Sequence, residues 1–528
     1  MDRAVDQRIA RAAGVVMFGF LIASLTGLVR QMMVLAAFGT TASLDAYFAA
    51  LRLPALLFSL LAGGALASAF VPTFTGLLGP NTRAAAWRLA SSVANLIFLG
   101  LTGFAALVFV LAPWLVTHVV APGFDDPGQI ALTVQLLRLQ LLAPILFGLS
   151  GLLMGVLNAH QHFLLPSLAP AMSNLGVILG VVFLVPRMGV HGLAWGYVLG
   201  AALHLVIQLP GLRHRQARYH ATLGLSDPSV RQVFRLMAPR LLSVGIVEVN
   251  FLVNAIIASG LPTGSLTALT NAFSIMLMPQ ALIAQSTAIA ALPTFSAQAA
   301  SGALGDLRLT LARTLRGVLF LALPATLGLM LLRTPIVAML FQRGAFTVES
   351  TSLVAWALLW YAVGLPAHAV LEVVVRAFFA LKDTLRPVLA SLVAMGLNII
   401  LSLTLTSAFA RIGWQPVGGL ALANSLATTI EAAILVILIR RRLDGLGWRQ
   451  IQRGVLAAVG AAAVMTVGLI AWIVISRGRG DLLIGLGGVL LGGGLYYLAA
   501  RLLRAPEAEQ LPRMLLPRSS PQIGRAHV

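Results

Sequence analysis

From Ser24 to Pro72 the chain reads SLTGLVRQMMVLAAFGTTASLDAYFAALRLPALLFSLLAGGALASAFVP, apolar text in which Arg30, Asp45 and Arg52 stand out. A charge inside a membrane helix costs about 2.5–3.5 kcal/mol on insertion scales, so such residues mark pathways, relays or ligand counter-ions. A guanidinium presents a planar fork of donors that suits a phosphate. The two arginines are therefore candidates for holding an anionic group. Asp45 would orient one of them or take part in gating. A buried ion pair fixing the first two helices would use the same residues. Snorkelling to an interface is disfavoured for Arg30, which lies mid-span, while Asp45 lies near a span end. Pro54, Gly63 and Gly64 interrupt the second helix, and backbone freed in this way is tolerated at membrane depth where it lines a cavity or packs on protein.

Further along lie Glu248, Glu372, Arg376 and Glu431. Glu372 and Arg376 are spaced i, i+4 and read as an ion pair on one helix face. Glu248 and Glu431 are intramembrane carboxylates that could bind a proton or Na⁺ and couple transport. The competing reading for both is a structural hydrogen bond to a neighbouring helix. His204 and His368 read as core histidines, and Arg138 and Arg240 as cavity or span-end residues. No GxxxxGK[ST] or HExxH occurs, so neither ATP hydrolysis nor a zinc site of that type is expected. Cysteine is absent, which excludes disulfides and thiolate metal sites; no metal or bound cofactor is expected.

The elements that must position these residues are helices. Of 528 residues, 59% are hydrophobic and 10% charged, with mean hydropathy +0.94; soluble domains carry about 25% charged residues. Apolar runs of spanning length recur throughout, which predicts an all-α polytopic membrane protein. Fourteen spans are expected near 14–37, 44–77, 87–111, 130–157, 163–185, 190–210, 231–258, 266–292, 309–332, 350–378, 386–408, 417–439, 452–475 and 481–502. The polar Met1–Arg11 stretch followed by a long apolar run does not read as a cleavable signal.

The net charge of +20 could suggest nucleic acid, but the arginines cluster in alternate loops and read as topology signals instead. Basic loops hold Arg83 and Arg88, Arg213 to Arg235, Arg308 to Arg316, and Arg440 to Arg453. GTTAS, APGFDDPGQ and ASGLPTGS are poor in basic residues. Both termini are therefore expected in the cytoplasm, which requires an even number of spans.

The chain also repeats itself at an offset of about 221 residues: FVPTF at Pro72 returns as ALPTF at Pro293, and APGFDDPG at Phe124 as QRGAFTVE at Phe346. Two parallel six-helix repeats are expected, with a site between the halves near mid-depth. The expected divisions are 1–222, 223–445, two extra helices in 446–504, and a disordered tail in 505–528 whose last six residues, IGRAHV, are compatible with translated sequencing-adapter DNA.

Over nearly its whole length the chain resembles the MurJ (MviN) lipid II flippase family of the multidrug/oligosaccharidyl-lipid/polysaccharide exporter superfamily. The likeness rests on GLVRQMMVLAAFGTTASLDAYFAALRLPALL, VVAPGF, GVLNAHQHFLLPSLAP, ALPTFS, LFQRGAFT and RAFFALKDTLRPV, in that order. It implies a 14-helix transporter, not an enzyme, that moves the lipid-linked peptidoglycan precursor between leaflets of a bacterial cytoplasmic membrane by alternating access. Arg30 falls on the family's cavity arginine in helix 1, Asp45 on its helix 2 aspartate, and Arg52 on a basic helix 2 position. The chain departs at Ser24 and Ser274, where the family has arginines. It departs also at Phe58 and Ser59, where basic residues are frequent, and at Gly63, where FAEGA becomes LAGGA. Implied partners are lipid II, membrane lipids and a cell-wall synthesis complex, with Na⁺, H⁺ or the membrane potential as driving force. The alternatives are a flippase for another polyprenyl-linked glycan, an antiporter of the same superfamily, or a non-transporting paralogue in cell-wall assembly.

Overall fold

The computed structural model describes residues 2–508 except 63, 64, 80, 214 and 216, with side chains from residue 14 and side-chain gaps inside 60–68, 239–247 and 448–453. The Gly63 position and the tail from residue 509, IGRAHV included, lie outside the described residues. The order is α1 (Asp2–Phe38), α2 (Ala42–Ala62), α3 (Ala65–Gly76), α4 (Arg83–Leu115), α5 (Pro127–Gln140), α6 (Leu142–Ala159), α7 (Leu164–Leu179), α8 (Val185–Met188), α9 (Val190–Val206) and α10 (Pro228–Ser259). Then come α11 (Ser265–Gln280), α12 (Ser286–Ala300), α13 (Leu304–Leu331), α14 (Arg333–Phe341), α15 (Val348–Val363), α16 (Leu365–Ala380), α17 (Leu385–Arg411), α18 (Val417–Arg442), α19 (Trp448–Ile475) and α20 (Asp481–Leu502). Among the described residues there is no strand.

Local chemistry sets the boundaries. Asp126 caps α5 by accepting from the Gly128 and Gln129 amides, both at 3.1 Å, with Pro127 at the first helical position. Asp227 caps α10 in the same way, through Ser229 N at 2.8 Å and ahead of Pro228. Single π-helical turns follow α4, α7 and α11.

Among the described residues, each of the fourteen expected stretches falls on helix. Eleven are long and apolar enough to cross a bilayer alone, and α15 with α16, bent by 48°, makes a twelfth if counted as one span. Of the other two, 44–77 contains residues 63 and 64, which lie outside the described residues, and 231–258 falls within α10, whose described residues include the apolar stretch Glu248–Ser259.

The chain forms two compact units. The first comprises Met1–Ala268 with Phe341–Ser350, and the second comprises Leu269–Leu340 with Thr351–Val528. These limits differ from the repeat boundary expected near 222. The reason is the Val230, Val233, Met237 face of α10, spaced i, i+3, i+7. It packs into the first unit's core with Phe70, Phe74 and Trp87.

Within the first unit, α7 and α9 meet along a glycine seam. Gly176 and Gly180 face Gly196 and Gly200, with Gly192 against the Leu184–Val185 backbone; a Cβ at any of them would strike the facing backbone. In lipid no hydrophobic force drives helices together, so such close backbone approach is the source of dispersion energy.

The same unit shows the internal repeat as a reciprocal exchange. Gly123 N donates to Ser259 Oγ at 3.0 Å, so a loop of the first repeat holds the first helix of the second. Ala345 N donates to Ala36 O at 2.8 Å, so the corresponding loop of the second repeat holds the first helix of the first. Gly123 and Gly344, Gly39 and Gly260, lie at equivalent repeat positions in these contacts.

The second unit has two apolar centres. One joins Phe295, Leu311, Leu315, Val373, Phe378, Leu435 and Ile439. The other joins α13, α19 and α20 through Phe320, Ala461, Met465 and Tyr496. The glycines of α20 serve packing here: Gly488 abuts Leu332 and Gly492 abuts Leu469. Residues 505–508, assigned from sequence to the polar tail, are instead packed. Ala505 and Ala508 are fully buried, and Glu507 pairs with Arg316.

Two expectations follow from this packing. Gly200→Leu should abolish a monodisperse folded species in fluorescence-detected size exclusion, while Gly103→Leu, which meets open space, should leave it intact. The second concerns His160, in the turn after α6 and stacked on Trp87 at 6.3 Å. Burial lowers its pKa most; the Val156 carbonyl bond raises it, and Arg215 and Arg83 lower it further. A lowered folded-state pKa means the unfolded chain binds the proton first. Stability should therefore be fully present above the unfolded value near 6.5 and fall as pH drops below it. His160→Gln should flatten that slope in a thermal melt followed from pH 7.5 to pH 5.

Candidate functional site

The α1–α2 hairpin carries the three residues of interest. Arg30 stands eight residues before the end of α1, and Arg52 ten residues after the start of α2. At 1.5 Å per residue these are about 12 Å and about 15 Å from the connecting turn. The two guanidiniums therefore leave the backbone at similar depth. Pro54 inside α2 removes the amide that would have bonded the Ala50 carbonyl.

Arg30 is half-buried and lies within electrostatic reach of the Tyr47 and Tyr197 hydroxyls, on α2 and α9. Asn174 of α7 fixes α1 one turn away, donating to Ala23 O at 3.0 Å and Thr26 Oγ1 at 3.2 Å. Arg52 is half-buried on α2.

Asp45 is buried, only 3% exposed. Its Oδ2 accepts from Gly264 N at 2.6 Å. Its Oδ1 accepts from Thr267 N at 2.8 Å and from Thr267 Oγ1 at 2.6 Å. All three partners lie in the same compact unit as Asp45. Helix α11 begins at Ser265, so Gly264 is its capping position, with φ +88° and no side chain to offer. Asp45 supplies the missing cap from another helix. Charge-assisted bonds to a helix N-terminus suit a carboxylate doubly, through the orphan amides and the dipole. Among the described residues no arginine pairs with Asp45. The ion-pair reading of the hairpin and the arginine-orienting role are thus replaced by a helix-capping clamp.

The family model described as "Lipid II flippase MurJ" matches residues 34–485. The chain belongs to the MurJ lipid II flippase family. That makes it a multi-span transporter rather than an enzyme. Among curated relatives, the probable lipid II flippase MurJ of Rhizobium tropici is 30% identical over 422 residues, 79% of this chain and 78% of the relative. The probable lipid II flippase MurJ of Bdellovibrio bacteriovorus is 30% identical over 482 residues, 90% of each. A solved structure described as "Lipid II flippase MurJ, inward closed conformation" superposes with TM-score 0.78 at 23% identity, covering 92% of this chain and 98% of that one. A multidrug resistance MATE family transporter in an inward-facing conformation gives TM-score 0.68 at 14% identity over 80% of this chain and 94% of its own. These two likenesses establish the fold.

At Ser24, Ser274 and Phe58, where the resemblance led to an expectation of charge, the side chains are satisfied locally. Ser24 Oγ donates to Phe20 O at 2.9 Å and Ser274 Oγ to Thr270 O at 2.8 Å, each within its own helix. Phe58 packs on Phe147 at 4.6 Å, and Phe147 in turn on Tyr197 at 5.8 Å. An aromatic wall thus extends from Phe58 to the tyrosine beside Arg30.

Each carboxylate expected to couple transport has its own local surroundings. Glu431 on α18 accepts from Ser391 Oγ on α17, the interhelical bond of the structural reading. Glu248 is half-buried on α10, near the Asn254 Nδ2 to Asn250 Oδ1 bond of 2.7 Å. Glu372 pairs with Arg376, as their spacing predicts, and Gln280 Nε2 reaches Glu372 at 3.4 Å. His204 belongs to a buried network: its Nδ1 lies 2.6 Å from Ser150 Oγ, which accepts from Gln208 Nε2 at 2.6 Å. His368 lies edge-on to Phe273, ring centres 6.2 Å apart.

Removing the Asp45 carboxylate strands two backbone amides and a hydroxyl. Asp45→Ala should destabilise the folded state by about 3 kcal/mol, and Thr267→Val by about 1 kcal/mol. Because both act on one network, the double variant should resemble Asp45→Ala alone. Equilibrium unfolding in mixed micelles reads all three.

Proposed function

We propose that this chain carries lipid II from the inner to the outer leaflet of the bacterial cytoplasmic membrane by alternating access. The observation that carries the proposal is the pair Arg30 and Arg52, at like depth on a hairpin whose turn is closed by the Asp45 clamp. The headgroup is large, polar and anionic, so it needs a hydrated cationic path, while its polyprenyl tail can stay in lipid. Each guanidinium can hold a pyrophosphate oxygen pair with its donor fork. Tyr47 and Tyr197 add hydroxyls beside Arg30.

By the positive-inside rule the basic loops favour cytoplasmic termini, and in this reading the GTTAS turn lies outside. The Asp45 clamp is then an outer gate. Its three bonds hold the outward path shut, and their exchange for water opens it. An inward-negative potential favours export of an anion by about 2.3 kcal/mol per charge per 100 mV. A Na⁺ ion or proton taken up at Glu248 or Glu431 is the second source of drive in this reading, and a cell-wall synthesis complex would consume the product.

The aromatic packing of Phe58, where basic residues are frequent in the family, favours a second reading with a different polyprenyl-linked glycan as cargo. A non-transporting role in cell-wall assembly predicts no dependence on either arginine.

In flippase-depleted cells the unaltered chain should restore growth, and Arg30→Ala or Arg52→Ala should abolish rescue, with Arg30→Lys intermediate. Normal rescue by both alanine variants sinks the cavity role. In vesicles, translocation of fluorescent lipid II should be blocked by excess unlabelled lipid II. Stronger block by a polyprenyl-pyrophosphate glycan lacking the peptide would favour the second reading.

A further inference from the structure

The first unit carries another cation at membrane depth that the transport reading does not use. Arg138 of α5 donates from Nε to Phe109 O at 3.1 Å, and its guanidinium carbon stands 4.7 Å from the Phe109 ring centre. Those contacts occupy one edge and one face of the fork. Among the described residues no carboxylate lies within ion-pair distance of it. Arg138 is half-buried and lines the groove beside it, where an anion would complement its charge.

The space beside Arg138 is a groove of about 720 Å³ between α4, α5, α6 and α9. This is the size of a small-molecule site, about 300–1,000 Å³. Its walls are apolar and open to the side, where Phe109 is 49% and Trp195 40% exposed. Thr102, Gln135, Arg138 and His191 are the polar side chains in its lining. At one end His191, at the start of α9, donates from Nε2 to Gln135 Oε1 at 2.9 Å. Gln135 stands three residues before Arg138, about 4.5 Å along α5. The polar end is thus near the end of a span, and Arg138 reaches toward it from one turn deeper, as a snorkelling arginine does.

We propose that this groove is a binding site for one anionic glycerophospholipid of the surrounding bilayer. Its phosphate sits on the free donors of Arg138, its headgroup lies at the His191–Gln135 bond, and one acyl chain lies along Ala106, Phe109 and Trp195. The unpaired cation selects a net-negative headgroup, since an ammonium beside the phosphate would crowd the guanidinium.

The test uses the full chain in mild detergent, titrated with phosphatidylglycerol and read by native mass spectrometry. One tightly held phosphatidylglycerol is expected, bound at least tenfold more tightly than phosphatidylcholine. Arg138→Ala should lose that preference and Arg138→Lys should retain part of it. Ala106→Trp fills the groove from an exposed position, so it should expel the lipid with an unchanged size-exclusion profile. Equal retention of both lipids, or unchanged binding in Ala106→Trp, overturns the proposal. So does displacement of the bound lipid by stoichiometric undecaprenyl phosphate, which would assign the groove to polyprenyl carriers.

Discussion

A carboxylate buried in a membrane protein persists only where fixed donors replace water, and Asp45 meets that condition with three. The exchange is mutual. Helix α11 starts at a glycine that has no side chain to cap it, and α2 carries an acid with no cationic partner among the described residues. Each element completes the other across about 220 residues of sequence. The loop contacts Gly123–Ser259 and Ala345–Ala36 stitch the same unit in a repeat-related pair. The positions of Arg30 and Arg52 along their helices follow from where that turn is held.

Such a fastening is strong while intact yet can be released. Buried charged hydrogen bonds contribute about 1.5–3 kcal/mol each when made, because water offers nearly the same partners. If water reaches the clamp, both the acid and the helix end are resolvated and most of the cost vanishes. The glycine seam of α7 and α9 behaves in the opposite way. Its energy comes from close dispersion contacts that water cannot replace, which suits a permanent joint. The first unit therefore combines a rigid backbone contact with a polar fastening that hydration can open.

Much of this was legible in the sequence. Apolar run length predicted the helical class, and the offset near 221 residues relates Gly123 to Gly344 and Gly39 to Gly260, though not the loop exchange they make. The i, i+4 spacing of Glu372 and Arg376 foretold their pair. What escaped was long-range and carried by backbone. The partners of Asp45 include two amides, which have no residue signature; only the bare glycine before α11 hinted at a missing cap. The packed end at 505–508 escaped because a polar, proline-containing stretch hides two small buried alanines and one ion pair. The unit boundary escaped because a repeat records ancestry, while packing follows whichever face of α10 is apolar.

The departures from the family's charge set bear on what the hairpin can hold. Had Ser24, Ser274 or Phe58 been recent losses on an unchanged frame, orphaned partners would be expected around them. Instead each serine hydroxyl bonds a carbonyl of its own helix, and Phe58 is stacked into an aromatic wall. Each of these side chains is satisfied where it stands. Fewer cations mean weaker holding of a pyrophosphate in the ground state. For a carrier this is no defect, since a headgroup bound equally tightly at every stage is released slowly. In the proposed reading Arg30 and Arg52 would carry the anion, and the aromatic wall from Phe58 toward Tyr197 would border its path.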